Sequence, residues 1–168
     1  MTLQESFGKL DGMKLAWVGD GNNIIHDLML AAPHLGVHVS IATPVGYEVN
    51  PTIAATALQL AKSCGTKITF TNDPIAAVRD ANVIATDTWI SMGQEEDKIR
   101  RLNDFKGFQV TTSMLSKANS DWRFLHCLPR HKEEVEDDVF YSQKSLVFDE
   151  AENRMWTTMS VIKALLKE

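Results

Sequence analysis

The segment His126-Cys127-Leu128-Pro129-Arg130 gathers an imidazole, a thiol and a guanidinium into one short stretch. A thiol beside cationic neighbours can ionise, and a thiolate is a nucleophile, a metal ligand or a polarisable hydrogen-bond partner. The competing reading is a buried and inert cysteine, the common fate of a lone one. Metal chemistry has little support: no paired Cys or His spacing occurs elsewhere, and His131 is set off by the proline turn. A Cys-His hydrolase would need an oxyanion-hole loop and a third triad member, and neither declares itself.

A second group is Asp87-Thr88-Trp89-Ile90-Ser91-Met92-Gly93. Asp87 closes an apolar run, where an unpaired carboxylate is costly. It calls for a cation, such as a substrate ammonium, or else for an internal salt bridge or a capping role in the turn at Ser91. The Ser91-Met92-Gly93 triplet is a weak motif alone, although its glycine supplies the hinge that a moving loop needs. A third group is Gly19-Asp20-Gly21-Asn22-Asn23. Asn22 reads as a helix N-cap, and Asn23 is free to turn its amide toward a carboxylate or a phosphate. Arg154, expected in the first turn of the last helix, gains nothing there from the helix dipole. Either it polarises a ligand oxygen or it is a surface arginine. The run Glu133-Glu134-Val135-Glu136-Asp137-Asp138 reads as a solvated acidic loop.

These groups need strands to carry them. Lys14-Leu15-Ala16-Trp17-Val18 is a continuous apolar run ended by glycines, as in a strand buried on both faces. A helix follows from the Asn22 cap, with Ile24, Ile25, Leu28, Met29, Ala32 and Leu35 recurring at three and four, and Pro33 shortens its end. Val37–Ala42 gives a second strand. Asn50-Pro51 opens a second helix that turns Ile53, Ala57, Leu60, Ala61 and Cys64 inward. Strands are expected at Lys67–Thr71, Asn82–Asp87 and Trp122–His126, with helical segments at Asp73–Val78, Gln94–Phe105 (charged, on the surface), Thr111–Ala118 and Asp137–Tyr141. A last helix runs from Glu150 to the end with Met155, Met159, Ile162 and Leu166 on one side. Strand and helix alternate five times, which a right-handed parallel crossover sheet satisfies. The expected fold is α/β, a Rossmann-like three-layer sandwich on a five-stranded parallel sheet. Ligands of such sheets collect beyond the carboxyl ends of the strands, which is where all three groups fall.

The dinucleotide fingerprint fails at its third glycine, which would be Ile24, and the second strand ends without a ribose-binding acid. No nicotinamide or flavin is expected, and no other cofactor. With 168 residues, 44% of them hydrophobic, the chain is long enough for one domain with a proper core. A net charge of −5 without a basic run argues against a nucleic-acid partner. No apolar run is long enough to span a membrane, and the start has no signal-peptide pattern. Two cysteines make no disulfide framework and favour a reducing compartment. Seven methionines are most simply core filler.

Taken together, Asp20-Gly21-Asn22-Asn23, Asp87-Thr88-Trp89-Ile90-Ser91-Met92-Gly93, His126-Cys127-Leu128-Pro129 and Glu152-Asn153-Arg154 resemble, in order and over about the whole chain, the carboxyl-terminal domain of ornithine carbamoyltransferases. The resemblance implies that Asn23 holds the α-carboxylate of L-ornithine and Asp87 its α-ammonium, and that Ser91 and Met92 belong to a loop swinging over the amino acid. It implies that Cys127 lies by the side-chain amine, and that the Leu128 backbone and Arg154 contact the carbamoyl group of carbamoyl phosphate. Cys127 and Arg154 are then the catalytic candidates, for a reaction giving L-citrulline and phosphate.

The family's amino-terminal half, with its phosphate-binding loop, has no counterpart in these residues. Residues 1–11 are accordingly expected to be the remnant of an inter-domain helix, 12–149 the ornithine-binding domain, and 150–168 a helix that packs back on the missing half. Activity of the chain alone is then not expected, and a monomer is expected where the family forms homotrimers. The family points to the mitochondrial matrix in many eukaryotes and to the cytoplasm in bacteria. The competing reading is a non-catalytic binding or interaction module of the same fold.

Overall fold

The structure, a computed structural model, describes residues 1–90, 93 and 95–166. Five parallel strands form one sheet: β1 (Lys14–Val18), β2 (His38–Ala42), β3 (Ile68–Thr71), β4 (Val83–Thr86) and β5 (Arg123–His126), in the order β3-β2-β1-β4-β5. From β1 the chain winds outward to β2 and β3, then returns to place β4 on the other side of β1. The strand order therefore reverses between β1 and β4, which opens a crevice at their carboxyl ends. All five strands lie within about a residue of where the apolar runs put them.

The helices are α1 (Thr2–Phe7), α2 (Asn23–Ala31, continued as a 3₁₀ turn through Leu35), α3 (Pro51–Ser63), α4 (Pro74–Val78), α5 (Lys98–Asp104, entered through a 3₁₀ turn at Glu95–Asp97), α6 (Thr112–Leu115), α7 (Asp137–Phe140) and α8 (Val147–Leu165). Side chains alternate across each strand, so the sheet supplies two cores. Leu15, Trp17, Val39, Ile41, Val83, Ala85 and Leu125 pack under α2 and α3. Ala16, Val18, Ile84 and Phe124 pack with α4, α6 and α7 on the other face, together with Phe105, Phe108 and Val135. Asparagines and an aspartate start the helices that follow β1, β2 and β3: Asn22, Asn50 and Asp73 each accept backbone N–H bonds from the first turn. Pro33 tightens the end of α2 into 3₁₀ geometry, and Gly36, at φ 72°, closes it in the left-handed conformation. Gly21 is required by crowding: a Cβ there would lie 2.4 Å from the Glu48 backbone.

Four sequence expectations fail. Cys64 and Leu35 do not face inward. They sit where their helices end and the chain turns out to solvent, Cys64 as the C-cap of α3. The charged segment expected on the surface places Arg101 inside at 6% exposure, because its guanidinium pairs with Asp20, donates to the Trp89 carbonyl and lies over the Tyr47 and Phe105 rings. The acidic run is not wholly solvated, since Glu134 is 1% exposed. Finally, α8 begins at Val147, so Arg154 stands two turns into the helix, and the first-turn dipole argument does not apply to it. Beyond Val147 the apolar residues of α8 are open to solvent, including Phe148, Met155, Trp156, Met159 and Ile162. No helix among the described residues is long and apolar enough to cross a membrane.

Candidate functional site

The register of β4 on β5 pairs Thr86 with His126, so the next residues, Asp87 and Cys127, leave the sheet side by side. Cys127 Sγ donates to Asp87 Oδ1 at 2.8 Å. From β1, the neighbour of β4 on its other side, the chain runs through Gly19–Gly21 to Asn22. The Asn22 side-chain oxygen accepts from Ile24 N at 3.0 Å and Ile25 N at 3.4 Å, and its amide Nδ2 donates to Asp87 Oδ2 at 2.8 Å. Asn22 is therefore the N-cap the sequence implied and also a partner of Asp87, which pattern alone does not reveal. Asp87, read as needing a cation, an internal salt bridge or a capping role, accepts from neutral donors on both sides. It has no cationic partner among the described residues.

Asn23, Asp87, Cys127, Leu128 and Arg154 line a single cavity of ≈ 740 Å³. Ile24, Ile90 and Pro129 add apolar walls, and Lys98, His131 and Glu133 complete the polar lining. A second cavity of ≈ 880 Å³ adjoins it across Cys127, Leu128 and Arg154 and is bounded by Phe140, Phe148 and Glu150. Both lie at the carboxyl edge of the sheet. Ser91 and Met92, the expected covering loop, fall outside the described residues.

The electrostatics of the crevice are those of crowded acids. Burial, then the Asp87 carboxylate, push the Cys127 thiol far above its ordinary range, with Glu150 adding to the effect. The outer side of the residue stays exposed. The surroundings disfavour a thiolate: His126 directs its ring nitrogens to the Leu128 N–H and to Glu134, Arg130 pairs with Asp137, and carboxylates face the sulfur instead. Glu150 is also raised, by burial first and by Asp87, although it accepts His126 N at 3.1 Å. Burial raises Asp20 despite its Arg101 partner, with Asp87 contributing. Carboxyls held this close favour a cation between them. With Asn23 at the N-terminus of α2 offering donors for an anion and Asp87 an acceptor for a cation, the cavity suits a zwitterion.

The loop after β5 is held from beneath. His126, 2% exposed, accepts the Leu128 N–H on Nδ1 at 3.0 Å, which leaves its Nε2 hydrogen to donate to Glu134 Oε2 at 2.9 Å. Leu128 takes φ 56°, unusual for a residue with a Cβ, and its peptide with Pro129 is cis. With its N–H tied to His126, the Leu128 backbone offers a ligand only its carbonyl. Burial opposes ionisation of Glu134, but hydrogen bonds from His126 and His131 outweigh it and bring its pKa below the ordinary value. No group of three or more His, Cys, Asp or Glu able to hold a metal occurs among the described residues.

Glu134, Arg101 and Glu150 escape the sequence reading. An acid inside an acidic run and an arginine inside a charged helix carry no sign of their burial. The one available hint was Val135, an apolar residue interrupting the run, which anchors that loop in the core at 0% exposure.

Comparison with known proteins follows the same lines. The family model described as aspartate/ornithine carbamoyltransferase, Asp/Orn binding domain, matches residues 11–165. The chain is 54% identical over 168 residues to the mitochondrial ornithine carbamoyltransferase of Aquarana catesbeiana and 54% identical to the mitochondrial ornithine transcarbamylase of Gallus gallus, in each case with all of this chain aligned to 48% of the relative. Among solved structures, the ornithine carbamoyltransferase from Pyrococcus furiosus superposes with a TM-score of 0.91 at 44% identity, over 96% of this chain and 52% of that one. A mitochondrial ornithine carbamoyltransferase from Coccidioides immitis gives 0.89 at 45% identity, over 98% and 53%. The chain thus spans about half the length of the relatives it matches.

Proposed function

We infer function from one premise: the chain belongs to the aspartate/ornithine carbamoyltransferase family and is its Asp/Orn-binding domain. It binds L-ornithine as the amino-acid half of an ornithine carbamoyltransferase, which moves the carbamoyl group of carbamoyl phosphate to the δ-amine, giving L-citrulline and phosphate. The observation that carries this reading is the convergence of Asn23, Asp87, Cys127, Leu128 and Arg154 on one cavity, brought from the ends of three strands and from α8.

In this reading the α-carboxylate lies at the amino end of α2 against the Asn23 amide, where the helix dipole favours an anion. The α-ammonium meets Asp87, which is oriented in advance by Asn22 and Cys127. The methylene chain lies along Ile24, Ile90 and Pro129. The δ-amine must lose a proton before its lone pair can attack the carbonyl carbon. The C–N bond forms, the C–O bond to phosphate breaks, and phosphate leaves with its electron pair and takes up the proton that the newly bonded nitrogen releases. A desolvated amine sheds its proton more readily, and the protonated Cys127 and the Leu128 carbonyl orient it without fixing a positive charge beside it. Arg154 donates to the carbamoyl oxygen as negative charge develops there. The anion site for the phosphate belongs to the amino-terminal half.

Residues 1–11, helical at Thr2–Phe7, belong to the inter-domain connection, 12–149 bind the amino acid, and α8 lays Met155, Trp156, Met159 and Ile162 against the carbamoyl-phosphate half. The working enzyme is a homotrimer and this chain alone a monomer. The mitochondrial names of the relatives support a place in the mitochondrial matrix. Titration calorimetry with L-ornithine tests the reading: the chain gives a binding heat that Asn23→Ala and Asp87→Ala abolish, while far-UV circular dichroism is unchanged. Mixing with a separately expressed carbamoyl-phosphate half produces citrulline. Binding heat that survives both substitutions would overturn the reading in favour of a non-catalytic module.

A further inference from the structure

The side chain that does most to organise this site never reaches the cavity. Glu134 accepts from Trp89 N at 3.3 Å and from His131 Nδ1 at 2.8 Å on Oε1, and from His131 N at 2.9 Å and His126 Nε2 at 2.9 Å on Oε2. Trp89 lies two residues beyond Asp87, and His126 directly precedes Cys127. One carboxylate therefore ties the loop after β4 to the loop after β5, at the two points flanking the Asp87–Cys127 contact. Thr88 extends the tie, its hydroxyl 3.4 Å from His131 Nδ1.

We propose that Glu134 is a positioning residue of the site: it fixes the two loops in the one relative placement in which Asp87 and Cys127 share a hydrogen bond, and it selects the His126 tautomer that holds Leu128. The second half follows from proton bookkeeping along the chain of groups. The Leu128 N–H requires an acceptor at His126 Nδ1, so the ring hydrogen must sit on Nε2, and only an acceptor opposite Nε2 stabilises that form. Glu134 supplies it. A neutral amide cannot replace the carboxylate, because both oxygens face donors. In whichever orientation a glutamine settles, its NH₂ meets a backbone N–H, that of Trp89 or that of His131, from which it cannot accept.

That ornithine feels this clamp rests on the function proposed above; the clamp itself does not. Cys127 reports on it directly, since it reacts slowly with an alkylating agent while it is bound to Asp87. Cys64, exposed at the end of α3, provides the internal reference. The experiment follows iodoacetamide labelling of both cysteines by mass spectrometry in the wild-type chain and in Glu134→Gln, alongside ornithine titration and circular dichroism. Loss of charge-assisted bonds that hold a loop should raise Cys127 labelling relative to Cys64 by about tenfold and weaken ornithine binding by about tenfold, with the spectrum unchanged.

A folded variant with unchanged Cys127 labelling overturns the proposal, and so does faster labelling with undiminished ornithine affinity. If the wild-type chain gives no ornithine signal, the proposed function fails and the labelling ratio alone judges the clamp. If Glu134→Gln does not fold, His131→Ala decides. It removes only the half-exposed imidazole arm and should raise the ratio about threefold, as expected for one lost hydrogen bond. No rise there overturns the proposal.

Discussion

Replacing Asn22 separates two contributions that meet in one side chain. Its oxygen caps α2 and its amide nitrogen holds Asp87, which is 8% exposed. Loss of a cap of this kind costs about 1 kcal/mol, and loss of a hydrogen bond to a charged group about 1.5–3 kcal/mol. Asn22→Ala should therefore destabilise the fold by roughly 2.5–4 kcal/mol, lowering the melting temperature of a chain this size by roughly 5–15 °C. Asn22→Ser keeps a capping oxygen but is too short to reach Asp87, so it should recover only the capping share, about 1 kcal/mol. Asn22→Asp also caps, yet sets a second carboxylate against Asp87. It should be the least stable of the three at neutral pH and improve on mild acidification, when the pair can share a proton. Urea denaturation followed by circular dichroism gives all these differences. If Asn22→Ser matches the wild type, the Asp87 contact contributes nothing to stability. If Asn22→Ala does too, the whole account of this loop is wrong.

Other outcomes follow from the same site. Arg101→Met leaves the largely buried Asp20 carboxylate without its partner and should cost about 3–5 kcal/mol at neutral pH, as for other broken buried pairs. The deficit should shrink in acid, because burial already raises the Asp20 pKa and its neutral form needs no partner. Glu134 has the opposite sign: with a folded pKa below the ordinary 4.5, it contributes stability above that value, which is lost as pH falls through the folded value. The urea midpoint of wild type should therefore exceed that of Glu134→Gln at neutral pH, and the two should converge below about pH 4.5. Cys127→Ser should leave the melting curve close to wild type, because the residue is exposed. It should slow citrulline formation in the mixture of halves, and equal turnover would remove the thiol from the mechanism.

The sequence by itself determined the sheet. Runs such as Lys14–Val18 and Asn82–Thr86 are too apolar to lie anywhere but between two layers, and the caps Asn22, Asn50 and Asp73 announce where α2, α3 and α4 start. It also marked the loops that carry Asn23, Asp87 and Cys127, since polar side chains at the ends of buried strands have few other uses. Only the tertiary structure decided how those side chains are held and charged. Strand register, a long-range property, sets Asp87 against Cys127, and that pairing turns a cysteine that follows a histidine and precedes an arginine by three residues into a thiol facing acids. The same holds for Glu134 and Arg101. A charged side chain is buried only when donors or acceptors from distant segments converge on it, and their convergence leaves no trace in local pattern. The length of α8 ahead of Glu150 was hidden as well, because it starts at Val147, which is buried in the core, with no side-chain cap to announce it.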